Sequence, residues 1–176
     1  LLGAARLLRE READLRGTVK LLFQPAEEGG AGAARMIEAG VLERPAVDRI
    51  FALHVWPTIP TGTIAGRPGA FLAAAGKLSI TIAGVGGHAA MPHLAVDPIV
   101  CASKLVVELQ TLISRELDPL DAGVVSITAF NAGNTHNVIP ERVELCGTIR
   151  NLSPAGHEAL QRRVREVTEH VAAANR

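Results

Sequence analysis

The 176-residue sequence predicts an α/β chain in two parts, on three observations. Over 1–69, short apolar or β-branched runs alternate with helical stretches, the order of an α/β sheet with helical crossovers. From about residue 70 an alternating run, a helix, two strands and a second helix follow, most of a split βαβ sandwich lacking only its last strand. Gly66-Arg67-Pro68-Gly69 separates the two as a turn-rich joint. The expected boundaries are therefore 1–69 and 70–176.

Each element has a local reason. A helix is expected from the first residue to about Leu15, its pattern already running at Leu1 with no cap ahead of it. The run 18–23 is apolar and β-branched between Gly17 and Pro25, and reads as a buried strand. A small-residue helix over 31–39 closes on Gly40 at the C′ position. Strands are expected at 49–53, ending in His54-Val55-Trp56-Pro57, and at 62–65. In the second part 77–82 alternates with period two, as a half-buried antiparallel strand does. Asp97-Pro98 supplies an N-cap and N1, and Ile99, Ala102, Val106, Leu109 and Ile113 line one helix face. Strands near 124–130 and 142–149 lead to Ser153-Pro154, which opens a last helix striped by Leu160, Val164, Val167 and Val171.

Composition narrows the classes. Eighteen basic residues balance eighteen acidic ones, and no basic cluster is interleaved with aromatics, so nucleic acid is not an expected partner. No apolar stretch approaches the roughly 20 residues that span a bilayer, so no membrane segment is expected. Cys101 and Cys146 match neither a disulfide framework nor a metal knuckle and read as buried, inert thiols. With no initiating Met and a helix already under way at Leu1, the expectation is a fragment lacking both termini.

Chemistry concentrates in four places. Phe23-Gln24-Pro25-Ala26-Glu27-Glu28-Gly29-Gly30 sets two carboxylates beyond a strand end, where ligands gather in open α/β sheets. Consecutive side chains of an extended segment point to opposite sides, so one glutamate can bind a cation while the other faces a water. Alone, the pair reads first as a solvated turn. His54 ends the next strand; a single such histidine is as readily a packed residue, but carboxylate plus imidazole is a usual zinc set. The glycine-rich run Gly84-Val85-Gly86-Gly87-His88 does not fit a dinucleotide fingerprint and reads as a loop that approaches a ligand closely and presents His88. Gly133-Asn134-Thr135-His136-Asn137 is a loop whose Asn137 offers an amide. Arg150 at a strand end offers a planar fork for a carboxylate, or is simply solvated.

Taken in order, Gln24-Pro25-Ala26-Glu27-Glu28-Gly29, Ala52-Leu53-His54-Val55-Trp56-Pro57, Gly62-Thr63-Ile64-Ala65, Gly86-Gly87-His88-Ala89-Ala90-Met91-Pro92-His93 and Asn137-Val138-Ile139-Pro140-Glu141 with Gly147-Thr148-Ile149-Arg150 resemble one group. It is the amidohydrolase branch of the dinuclear-metal aminoacylase/carboxypeptidase family, which includes hippurate hydrolases and auxin–amino acid conjugate hydrolases. Arg115-Glu116-Leu117-Asp118-Pro119-Leu120 leans toward the plant-type members. The resemblance covers nearly the whole chain and is specific for the family, much less so for the substrate.

The resemblance implies a partial catalytic α/β sheet domain over 1–69 and an inserted ferredoxin-like dimerisation or lid domain over 70–176. It implies Glu27 as general base, Glu28 and His54 as metal ligands, and His88 reaching from the small domain, generally that of the partner subunit, toward the scissile carbonyl. Asn137 and Arg150 would hold substrate. Two divalent ions, zinc or manganese, are implied in the full-length protein, with a homodimer and a small N-acyl amino acid substrate; a peptidase or carboxypeptidase of the same family is the neighbouring alternative, and a non-catalytic dimerisation fragment the remote one. Further ligands are implied from a Cys- and His-containing segment upstream and from a late histidine, neither of which is in this sequence. The chain alone is therefore expected to bind metal weakly and to be inactive. Plant-type relatives imply the endoplasmic reticulum lumen and bacterial ones the cytoplasm, which leaves the compartment open.

Overall fold

In a computed structural model residues 1–175 are described, and the chain divides into two compact units, Leu1–Pro60 and Thr61–Arg176. The first holds two short helices, α1 (Leu2–Glu10) and α2 (Gly32–Glu38), with a 3-10 turn at Glu12–Asp14. Neither α1 nor α2 has a side-chain cap. Past α2, Gly40 takes a φ of 77°, the left-handed C′ conformation that the sequence predicts. Lys20 Nζ donates to the carbonyls of Val41 at 2.5 Å and Arg44 at 2.8 Å, tying the segment before Pro25 to the loop after α2.

The strands expected at 18–23, 49–53 and 62–65 are not formed. Phe51 and Leu53 are each 88% exposed, and Ile64 is 86% exposed. An apolar run becomes a buried strand only where neighbouring backbones take its N–H and C=O groups and other layers cover its faces. The described residues supply neither to these runs.

The second unit does build a sheet. Strands β1 (Ala74–Ala83), β3 (Gly123–Ala132) and β5 (Arg142–Asn151) lie in the order β1-β5-β3. Both neighbours are antiparallel to β5, in registers running from Ala74↔Asn151 to Ala83↔Arg142 and from Gly123↔Asn151 to Ala132↔Val143. The strands β1 and β3 therefore run the same way with β5 inserted between them, and helix α3 (Pro98–Thr111) joins them: a split βαβ crossover. A second, two-stranded ribbon pairs β2 (Gly87–His88) with β4 (Val138–Ile139). The chain is thus a mixed α/β structure with separate helical and sheet regions.

Two capped helices cover one face of the sheet. In α3 the Asp97 carboxylate accepts from Ile99 N–H at 2.8 Å, with Pro98 at N1. In α4 (Pro154–Ala173) the Ser153 hydroxyl accepts from Gly156 N–H at 3.0 Å. Under them lies one core in which Ala102, Leu105, Leu109 and Val143 are fully buried, with Leu145, Ile149, Leu160 and Val164. The α4 stripe is as predicted, Val167 and Val171 sitting at its margin. That of α3 is rotated: Cys101, Ala102, Leu105, Leu109 and Leu112 are buried, while Ile99, Val106 and Ile113 flank them. The sequence run is apolar over more than half the circumference, so periodicity alone does not fix which edge faces the sheet.

After Thr111 the helix widens into a π-turn over Leu112–Glu116. There Glu116 accepts two hydrogen bonds from Arg163 of α4, at 2.7 and 2.8 Å. Those hydrogen bonds hold the Glu116 carboxyl below its usual range and raise the Arg163 guanidinium. Cys101 is buried, which pushes its thiol up, and Cys146 is half-buried; both are free, as expected.

Candidate functional site

Glu27 and Glu28 sit in a tight turn, not at the end of a paired strand. Gly29 N–H bonds the Glu27 carbonyl at 2.8 Å and Gly30 N–H the Ala26 carbonyl at 2.9 Å. The turn is flanked by two left-handed alanines, Ala26 at φ 50° and Ala31 at φ 52°, a conformation that is strained for any residue with a Cβ. Below it Gly32 opens α2 so close to Pro25 that a Cβ would collide with the Pro25 carbonyl oxygen. Glycine is thus what lets the helix seat against the carboxylate turn. Both glutamates are exposed.

His54 is also exposed. Its Nδ1 lies 2.6 Å from the Val55 carbonyl. A carbonyl oxygen can only accept, so Nδ1 carries the proton, and in the neutral ring Nε2 is the nitrogen left to ligate a metal. Trp56 packs edge-on against the ring, 5.6 Å between centroids. Donor chemistry at Glu28 and His54 therefore fits a divalent cation. Their number does not suffice: a catalytic zinc takes three protein ligands. Among the described residues no group of three or more His, Cys, Asp and Glu side chains is placed to hold a metal ion, so Glu27, Glu28 and His54 do not gather into one.

In the second unit the structure brings two predicted residues together. His88 of β2 stands opposite Val138 of β4, and Ala89 N–H donates to the Asn137 carbonyl at 3.0 Å. Residues 49 positions apart thereby become neighbours on one ribbon. The ribbon is anchored by Gly84 N–H on the Glu141 carbonyl at 2.8 Å and by the Val85–Val96 bridge. A Cβ at Gly84 would strike the Val96 carbonyl oxygen. The glycine read as making room for a ligand makes room for the protein's own backbone, which corrects that part of the loop reading.

The side chains of this ribbon are oriented by their own neighbours. Ala90 N–H donates to His88 Nδ1 at 3.1 Å, so neutral His88 carries its proton on Nε2. Thr135 Oγ1 donates to Asn137 Oδ1 at 3.1 Å. The single acceptor nitrogen of His88 is thereby occupied, and both side chains are exposed. A hydroxyl two residues before an amide is the local sequence pattern for the Thr135–Asn137 contact.

Arg150 is elsewhere. It pairs with Ala75 and Val124 near the far end of β5, and β5 from Arg142 to Arg150 runs roughly 25 Å. Val143, Leu145 and Ile149 are buried under the helices, so the alternate positions, Arg150 among them, belong to the opposite face. His88, Asn137 and Arg150 do not share one site within a single chain.

Known proteins resemble this chain along its length. The profile of Peptidase family M20/M25/M40 matches residues 1–173. IAA-amino acid hydrolase ILR1-like 5 of Arabidopsis thaliana is 48% identical over 99% of the chain and 40% of its own length. N-acetyl-L-cysteine deacetylase of Bacillus subtilis is 43% identical over 99% of the chain and 41% of its own length. Among solved structures, the YXEP protein of Bacillus subtilis, a dinuclear metal binding peptidase from the M20 family, superposes with a TM-score of 0.72 at 38% identity, covering 98% of this chain and 42% of that one. The chain spans about two fifths of the length of the curated relatives it matches. Over that span it belongs to the M20/M25/M40 peptidase family.

Proposed function

We propose that the full-length protein is a metal-dependent amidohydrolase that cleaves the amide bond of N-acyl amino acids, auxin–amino acid conjugates or hippurate-like compounds among them. The observation that carries this reading is exposed His88 on the β2–β4 ribbon, whose Nδ1 accepts from Ala90 N–H so that the neutral ring presents Nε2–H. Amide hydrolysis passes through a tetrahedral species whose former carbonyl oxygen gains negative charge. An N–H donor whose other ring nitrogen is already occupied suits that oxygen, because the interaction strengthens as the charge grows. The names of the relatives agree in chemistry: one removes an amino acid from an acyl group, another an acetyl group from an amino acid.

In this reading Glu28 and His54 Nε2 belong to the ligand set of two divalent ions, zinc or manganese, completed by residues outside this chain. When bound, such ions polarise the amide carbonyl and acidify a water. Glu27 would take a proton from the attacking water and deliver it to the leaving amine. His88 Nε2–H and the Asn137 amide hold the carbonyl oxygen or the substrate beside it. Arg150 pairs with the substrate carboxylate.

Residues 70–176 serve as a ferredoxin-like lid, a role supported by the split βαβ crossover and the β1-β5-β3 order. The separation of Arg150 from the ribbon far exceeds the length of an N-acyl amino acid. One small substrate meets both only if two copies contribute, which favours a homodimer through this unit. The compartment follows the relatives' split and is not fixed by any feature of the chain.

The test is hydrolysis of a panel of N-acyl amino acids by the full-length protein, before and after chelation. Turnover that disappears with chelator and returns with zinc or manganese is the expected result. Chelator-insensitive turnover, or none on any N-acyl amino acid, overturns the proposal.

A further inference from the structure

We infer that Val138 is a specificity-determining residue that meets the acyl chain of the substrate beside His88; this rests on the amidohydrolase reading. The ribbon's hydrogen bonds fix which side chains are neighbours. Ala89 N–H donates to the Asn137 carbonyl at 3.0 Å, so 89 opposite 137 is a hydrogen-bonded position. Hydrogen-bonded and non-hydrogen-bonded pairs alternate along an antiparallel ladder, which makes His88 opposite Val138 a non-hydrogen-bonded pair. Directly opposed residues project from the same face, and in such a pair their Cβ atoms stand closest, about 4.5–5.5 Å apart. Val138 is therefore the side chain beside His88 across the ribbon. Asn137 and Ile139 project from the other face.

Burial separates the two residues of β4. Ile139 is 8% exposed and packs into the protein, whereas Val138 is 49% exposed. The ribbon thus sets an open hydrocarbon surface next to the ring that presents Nε2–H. With that N–H on the scissile carbonyl oxygen, Val138 faces a group attached to the same carbonyl. The amino acid half carries a carboxylate, which is costly to desolvate against a hydrocarbon. The acyl chain is the half that gains from the contact. A β-branched side chain is stiff at χ1, so it offers a surface of fixed shape, suited to discriminating one acyl chain from another.

The experiment compares Val138→Ala and Val138→Thr with the unmodified full-length protein on two substrate series. One varies the acyl group, acetyl, butanoyl and hexanoyl, on a single amino acid; the other varies the amino acid under a single acyl group. A lost methylene-sized contact corresponds to a roughly fourfold fall in kcat/KM. Val138→Ala should lower the hexanoyl-to-acetyl ratio of kcat/KM by about that factor or more and leave the amino acid preference unchanged. Val138→Thr keeps the branched shape and exchanges a methyl for a hydroxyl, so it should lower the same ratio with the ribbon intact. A loss by one common factor across the acyl series would mean a structural role and overturns the inference, as does a shift confined to the amino acid series. If neither variant alters selectivity while hydrolysis continues, the inference falls and the hydrolase reading stands. Absence of any N-acyl amino acid hydrolysis by the unmodified protein would remove the hydrolase reading instead, and the inference with it.

Discussion

The two units treat similar apolar sequences in opposite ways. In the second, the alternating run of β1 finds β5 within the same chain, and Leu78 and Ile82 are buried against the helices. In the first, the run at 49–53 finds no ladder, and Phe51 and Leu53 remain exposed. The helices divide likewise: α3 and α4 start on Asp97 and Ser153 side-chain caps, whereas α1 and α2 have none. Self-sufficiency is therefore a property of the second unit. The first carries the candidate ligands and base, and its apolar run at 49–53 stays uncovered among the described residues.

The contrast is broken most decisively in the core. Leu105→Ala, at a fully buried position, should destabilise the second unit by about 2–5 kcal/mol. Phe51→Ala, at an exposed one, should stay within about 0.5 kcal/mol. Urea unfolding resolves the two units, because Trp56 is the chain's one tryptophan and lies in the first, while circular dichroism is dominated by the second. Coincident transitions by both probes would dissolve the distinction.

Smaller effects sharpen it. Asp97→Ala and Ser153→Ala should each cost about 1 kcal/mol in the circular dichroism transition and leave the Trp56 signal unmoved. The Glu116–Arg163 pair should contribute least, being partly exposed. Because the Glu116 pKa is lowered on folding, its contribution is fully present above the ordinary glutamate value of about 4.3 and is lost as pH falls through the lowered pKa. Glu116→Gln should therefore narrow the gap in stability between neutral and acidic pH, and an unchanged acid limb would contradict the assignment.

Much of the second unit was legible because its signals are local. Asp97-Pro98 and Ser153-Pro154 announce helix starts through cap chemistry, and β1 announces a half-buried strand through its alternation. The misread elements depend on something beyond the window. An apolar run at 18–23 says that burial is favourable, not that a partner is at hand. The α3 face was mis-phased because an apolar helix leaves more than one stripe consistent with burial. At the site, the sequence motifs identified His88 and Asn137 separately, while their adjacency arises from pairing between segments 49 residues apart. Arg150 was grouped with them by resemblance, yet a strand's residue numbers do not reveal which end of the sheet a ligand approaches.

Glu27→Gln in the full-length protein separates the proton transfer proposed for Glu27 from the metal holding proposed for Glu28 and His54. General-base removal should lower kcat by roughly 10²–10⁴ with bound metal per subunit unchanged by elemental analysis. Turnover near that of the unmodified protein would contradict the claim, as would a loss of activity that merely follows a loss of metal.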